Sequence, residues 1–280
     1  MGIEIKDILS KKILSEATGY LDIGFTHSLN PYSGCAFSCK YCYVREMPIQ
    51  KFKEIPWGEW VDIKTNAAEN YQSEIIKLRQ KNKTVNIFMS SATDPYQPIE
   101  RKANITRSLL EAMISNPPDL LQIQTRSPLI TRDLDLLVAL KESCEVLVSM
   151  TIETDREDMK QIFAPYAPGI QLRIKALKEL HEAGLATQAA VSPVLPFTSD
   201  FPSLLEGIVD RIWIDTMNIG DGSMGKRSKR LGMPQLFEAH GLSEWFQRDI
   251  HIRVEKYFKK YFPQEMIHVS KNEAFPNTNS

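Results

Sequence analysis

Six short apolar runs separated by stretches of helical periodicity constrain this chain more than any other feature. The runs are residues 24–29 (GFTHSL), 84–90 (TVNIFMS), 120–125 (LLQIQT), 145–150 (EVLVSM), 187–191 (TQAAV) and 211–216 (RIWIDT). Short, largely apolar runs rich in β-branched residues read as buried strands, the habit of parallel sheets. Between them, Ala68, Tyr71, Ile75 and Leu78 recur at spacings of three and four, giving one helical stripe. Ile105, Leu109 and Met113 form a second stripe, stopped by Pro117-Pro118, and Leu172, Ala176, Leu177 and Leu180 a third. Thr131 is placed to cap a helix, with Asp133 and Asp135 in its first turn. Gly184 is placed to end one in the left-handed conformation, and Pro202 to open a short helix reaching Ile208. Alternating strands and helices imply right-handed crossovers and a parallel sheet. Six units are too few for the closed eight-stranded barrel, so the expected fold is α/β, a partial (β/α)6 TIM-like barrel.

The alternation ends at residue 216. Residues 217–241 read as a loop rich in glycine and basic residues, and residues 272–280 as a tail. Residues 243–262 read as one amphipathic helix with Phe246, Ile250, Val254, Tyr257, Phe258 and Tyr261 on its inner side. No shift in composition marks a second folding unit. The expected organisation is therefore a barrel with an N-terminal lead-in over 1–216, and a loop and helical extension over 217–280 packed on the same domain. With 42% hydrophobic residues the chain can bury a core, and 34 basic against 35 acidic residues exclude a polybasic protein but not a local basic patch. No apolar stretch approaches a membrane span, no secretory leader is visible, and Lys6 stands where a myristoylation signal wants Ser or Thr. A cytoplasmic, thiol-reducing setting with no membrane partner is expected.

Three of the four cysteines, Cys35, Cys39 and Cys42, form a C-x3-C-x2-C cluster, and Cys144 stands alone. Disulfide frameworks are even and dispersed, unlike this. Three thiolates so close in sequence can converge on a soft metal. A structural zinc site would need a fourth ligand, from His27 or Cys144. In a [4Fe–4S] cube held by three cysteines, the fourth iron keeps an open coordination position, which is a chemical site. A third reading has the cysteines packing as small apolar residues in a turn.

The cysteine motif on a loop after the first barrel strand resembles the radical SAM superfamily. Within it, residues 30–35 (NPYSGC), 39–43 (CKYCY), 91–100 (SATDPYQPIE), 125–135 (TRSPLITRDLD), 149–151 (SMT) and 192–196 (SPVLP) are similar to the spore photoproduct lyase-like branch, also called DNA repair photolyase-like. The resemblance spans roughly residues 20–215. It implies a [4Fe–4S] cluster on Cys35, Cys39 and Cys42, with S-adenosyl-L-methionine (SAM) chelated by the open iron. It further implies reductive cleavage to methionine and a 5′-deoxyadenosyl radical that abstracts hydrogen from a substrate, nucleic acid among them, and a flavodoxin- or ferredoxin-like one-electron donor. The cofactor carries this chemistry, and the protein positions it.

Residue by residue, the resemblance puts Tyr41 and Tyr43 either against SAM or as aromatic cover over the cluster. Thr93 and Asp94 are either ligands of the SAM amino group or turn and helix caps. Arg126 stands where the lyase pattern has Lys, and either binds the SAM carboxylate or makes a salt bridge. Ser149 is the strand-end hydroxyl placed near SAM. Tyr96, Gln97 and Glu100 are expected toward substrate, and the basic run Lys226–Arg230 either touches phosphate or is a solvated loop. One departure matters: the lyases carry a cysteine just before the Ser/Thr-Asp stretch, and here Ser90, Ser91 and Ala92 occupy it. Cleavage of SAM carries over, and thymine-dimer repair does not. The alternatives are radical modification of a peptide, protein or small metabolite, and a non-catalytic metal-binding or electron-transfer module.

Overall fold

All six expected runs form strands of one sheet in the computed structural model, which describes residues 2–270 except Ile23. The expected tail at 272–280 lies outside the described residues. In chain order the strands are β1 (Glu4–Ile8), β2 (Leu14–Glu16), β3 (His27–Leu29), β4 (Tyr32–Ser33), β5 (Trp60–Lys64) and β6 (Asn86–Met89). They continue as β7 (Leu120–Thr125), β8 (Glu145–Thr151), β9 (Ala186–Val191), β10 (Arg211–Ile214) and β11 (Ile267–Val269). The main sheet has the order β11-β10-β9-β8-β7-β6-β3-β2 and does not close on itself. Every pairing from β3 to β11 is parallel, and only the edge strand β2 runs antiparallel. This is the open, partial barrel expected. A small second sheet, β1-β5-β4, backs the cysteine loop. Two of its strands escaped the sequence reading because β1 is mostly exposed and β4 is two residues long.

The helical stripes cover the sheet's outer face. Helix Ala67–Arg79 buries Tyr71 and Ile75, and helix Ile105–Ser115 buries Leu109 and Met113, all completely. In helix Ile170–Glu182 the buried face is Ile170, Arg173, Ala176, Leu177 and Leu180, whereas Leu172 is 57% exposed. The stripe starts from Ile170, so position 172 points away. Gly184 ends this helix at φ +76°, with Gly184 N–H donating to His181 O and Leu185 N–H to Leu180 O.

Helix placement differs from expectation at four points, one being that residues 217–241, read as a loop, hold helices Lys226–Arg230 and Met233–Ala239. Thr131 caps nothing: Ser127 Oγ accepts the Leu129 N–H, and a 3-10 turn Pro128–Asp133 leads into helix Leu134–Leu140. Pro128 presets that first turn. The segment after Pro202 is a single 3-10 turn ending at Leu205. Residues 243–262 split into a 3-10 turn Ser243–Phe246 and helix Ile250–Phe258. Asn218 Nδ2 donates to the Phe246 carbonyl at 2.8 Å and also reaches that of Gln247, so these acceptors serve a tertiary contact where the chain breaks. Helix Ile250–Phe258 still packs as expected, with Phe258 completely buried against Phe197 and Phe201. Among the described residues, no helix is long and apolar enough to cross a membrane.

Candidate active site

The carboxyl ends of the parallel strands open into a cavity of 760 Å³, the place where such sheets collect ligands. Cys35, Cys39 and Cys42 all line it. Their loop follows β4 and is built from two tight turns, Ser38 N–H to Cys35 O and Cys42 N–H to Cys39 O. Tertiary contacts hold it at several points. Gln97 accepts the Ala36 N–H on Oε1 (2.9 Å) and donates from Nε2 to Gly34 O, which also accepts the Thr93 hydroxyl (2.5 Å). Arg45 donates from Nε to Cys39 O and from Nη2 to Ser38 O. Gly34 itself sits at φ +82°, tight against Trp60.

Burial pushes the Cys35 and Cys39 thiols above their ordinary range and Cys42 to about 11, with Arg126 opposing the rise at Cys39 and Cys42. Metal coordination is what deprotonates such thiols. Among the described residues, no three His, Cys, Asp or Glu side chains gather closely enough to hold a single ion. Thiolates are the ligands that soft metals and iron–sulfur clusters take, and these three share one cavity. Three residues of the same cavity wall, Trp57, Ser90 and Thr216, each carry a buried polar atom (Nε1, Oγ and Oγ1) with no partner within the protein. Buried polar groups need partners, so this wall is suited to a polar ligand.

Asp94, 5% exposed, accepts the Tyr96 N–H and Thr125 hydroxyl on Oδ1 and the Arg126 N–H on Oδ2. It therefore caps a turn and still lines the cavity; burial raises its pKa and these donors oppose the rise. Thr93 lines the cavity too, although its hydroxyl is spent on the cysteine loop. Tyr43 donates to Ser91 O at 2.8 Å. Tyr41, between Cys39 and Cys42, donates to Glu153, and Arg126 Nη1 donates to both Tyr41 Oη (2.7 Å) and Glu153 Oε1 (2.6 Å). Arg126 thus makes a salt bridge and also faces the cavity. Burial would raise Glu153, yet Arg173 and Arg126 hold it down to about 2.

Other expected residues fall elsewhere. Ser149 is completely buried beneath the cavity, its Oγ accepting from Gln188 Nε2, and it is Gln188 that lines the wall. Tyr96, Gln97 and Glu100 do not line the cavity. Tyr96 and Gln97 are at most 1% exposed, and Glu100 takes bonds from Tyr32, Thr106 N–H and Arg132. Of the three, Gln97 is the one bonded to the cysteine loop. The basic run forms helix Lys226–Arg230, from which Arg227 does reach the cavity wall while bonded to Asp221 O, and Arg230 pairs with Glu46. Cys144 is buried in the main core, away from the cavity.

The sequence reading missed Glu153, Asp215 and Asp221. Asp221 accepts the Ser223, Gly225 and Ser228 N–H groups and so orders the glycine-rich loop into a cavity wall. An Asp followed by Ser and Gly is a turn signal, and was legible as one.

Known proteins resemble this chain in sequence and in fold. An uncharacterised protein of Methanocaldococcus jannaschii is 35% identical over 173 residues, 62% of this chain and 62% of its own. One from Mycobacterium bovis is 26% identical over 215 residues, 75% of this chain and 62% of its own. The chain thus spans less than two thirds of the length of these curated relatives. A mutant of spore photoproduct lyase superposes with a TM-score of 0.64 at 13% identity, covering 95% of this chain and 81% of that one. A second structure of that lyase, with bound AdoMet and dinucleoside spore photoproduct, gives 0.62 over the same shares. At such identity the likeness is of fold alone. The family model of the radical SAM superfamily matches residues 29–210, well over half of the sequence, and the chain belongs to that superfamily of enzymes.

Proposed function

We propose that the chain holds one [4Fe–4S] cluster through Cys35, Cys39 and Cys42 and cleaves SAM reductively, with an external one-electron donor. Cys35, Cys39 and Cys42 would hold that cluster, which when reduced would supply the electron for splitting SAM into methionine and a 5′-deoxyadenosyl radical able to abstract hydrogen. The observation that carries this reading is the convergence of the three motif cysteines on one strand-end cavity in a chain of this superfamily. The amino-acid part of SAM is a zwitterion. Asp94 and Arg126, of opposite charge and joined through the Arg126 N–H, suit its amino and carboxylate groups. Tyr41 and Tyr43 cover the cysteine loop and keep water from it. Gln97 and Arg45 fix the loop's backbone, so the sulfurs are preorganised.

Anaerobic reconstitution with iron and sulfide, followed by SAM and dithionite, should yield 5′-deoxyadenosine by mass spectrometry. Serine in place of Cys35, Cys39 or Cys42 should abolish iron retention and product, while Cys144→Ser keeps both. Cluster-loaded protein that releases no 5′-deoxyadenosine would refute the reading. Arg227 on the cavity wall, with exposed Lys226 and Lys229 beside it, favours an anionic substrate such as nucleic acid. Binding that falls steeply with salt supports that substrate class, and negligible binding at every salt concentration removes it.

A further inference from the structure

Glu153 follows β8, is 2% exposed, and has both carboxylate oxygens engaged. Oε1 accepts from Tyr41 and Arg126, and Oε2 accepts Arg173 Nη1 at 2.6 Å. Arg173 comes from the apolar stripe of helix Ile170–Glu182 and is completely buried. It donates again to Thr151 O, but its Nε and Nη2 have no partner, and it does not line the cavity. Burying an arginine with idle donors is costly, and an apolar side chain in its place is often neutral or stabilising. Packing alone does not account for it.

Charge does. Arg126 paired with Glu153 alone is neutral and attracts an anion weakly. With Arg173 the three side chains sum to one positive charge, in surroundings where screening is weak. Both bonds from Arg126 leave through Nη1, so its Nε–Nη2 edge is compatible with bidentate pairing to a carboxylate.

We propose that Arg173 is a positioning residue acting through Glu153: it offsets the glutamate's charge, so that Arg126, held in place by that glutamate, presents a net positive site to the carboxylate of SAM. This rests on the SAM-binding reading above.

The test is anaerobic equilibrium binding of SAM to the reconstituted full chain, with iron content as the control for folding and loading. Arg173→Met leaves the Arg126–Glu153 pair neutral and should weaken binding about tenfold or more. Arg173→Lys keeps the charge and should stay within a few-fold of wild type. The decisive variant is the double substitution Glu153→Gln with Arg173→Met, which removes both buried charges and restores the net positive site. It should bind SAM more tightly than Arg173→Met and close to wild type. A purely structural role predicts the opposite order. Arg173→Met binding like wild type, or a double variant as weak as Arg173→Met, overturns the inference and leaves the SAM reading standing. If Arg173→Met takes up no iron, the double variant against wild type decides alone, weak binding overturning the inference. Cluster-loaded wild type that binds no SAM overturns both.

Discussion

Replacing Gly34 by alanine tests whether the cysteine loop is held by close backbone approach. Gly34 adopts φ +82°, and an added Cβ would lie 2.4 Å from the Trp60 carbonyl oxygen and 2.8 Å from its Cε3. The positive φ costs an alanine about 1–2 kcal/mol. The clash falls on backbone and on a ring that is 2% exposed, so it cannot swing into solvent. Overpacking of that kind costs about 1–3 kcal/mol, for a total of about 2–5 kcal/mol. Gly184 provides the control. It has nearly the same φ, +76°, yet its added Cβ meets only the flexible Lys141 Nζ, at 3.1 Å. Urea unfolding followed by circular dichroism should show Gly34→Ala costing about 1–3 kcal/mol more than Gly184→Ala, with unchanged m-values. Iron retention after reconstitution should fall for Gly34→Ala alone. Equal losses at the two glycines, or full iron retention in Gly34→Ala, would show that contact with Trp60 does not position the loop.

Two further outcomes are expected. Gln97→Leu strips the partner from the Ala36 N–H inside the loop and should cost about 1–3 kcal/mol, with lower iron retention; unchanged stability and iron content would show that the amide is dispensable. Asp215, on the cavity wall, has its pKa raised by burial from 3.8 to about 7. Because the folded state binds this proton more tightly than the unfolded chain, the group's contribution is complete below about pH 4 and is lost as pH rises toward 7. Relative to Asp215→Asn, wild-type stability should therefore decline over that window, by on the order of 2 kcal/mol given screening at the cavity surface. Parallel pH profiles for the two proteins would show that the carboxyl titrates normally.

The main sheet was legible because its central strands are largely buried and rich in apolar residues, as with Leu120, Leu121 and Ile123 in Leu120–Thr125. Helix ends were less legible. At Phe246 and Gln247 the break coincides with Asn218, a partner 28 residues away that no local pattern contains. Leu172 was misplaced for a related reason: the buried face includes Arg173, which a hydrophobic stripe cannot register.

For the site, the cysteine motif was readable because its geometry is local, two tight turns within eight residues. The supporting polar residues are not local. Tyr41 and Glu153 are separated by 112 residues, and Ala36 and Gln97 by 61. Gln97 lies beside residues that resemble ligand contacts, yet only its hydrogen bonds to Ala36 and Gly34 show that it braces the loop. The sequence by itself determined the parallel sheet and the triad of thiols, since both follow from spacing along the chain. Tertiary structure alone decided which carboxylates and arginines meet behind those thiols, because a charge's effect depends on distance and dielectric, which sequence order does not encode.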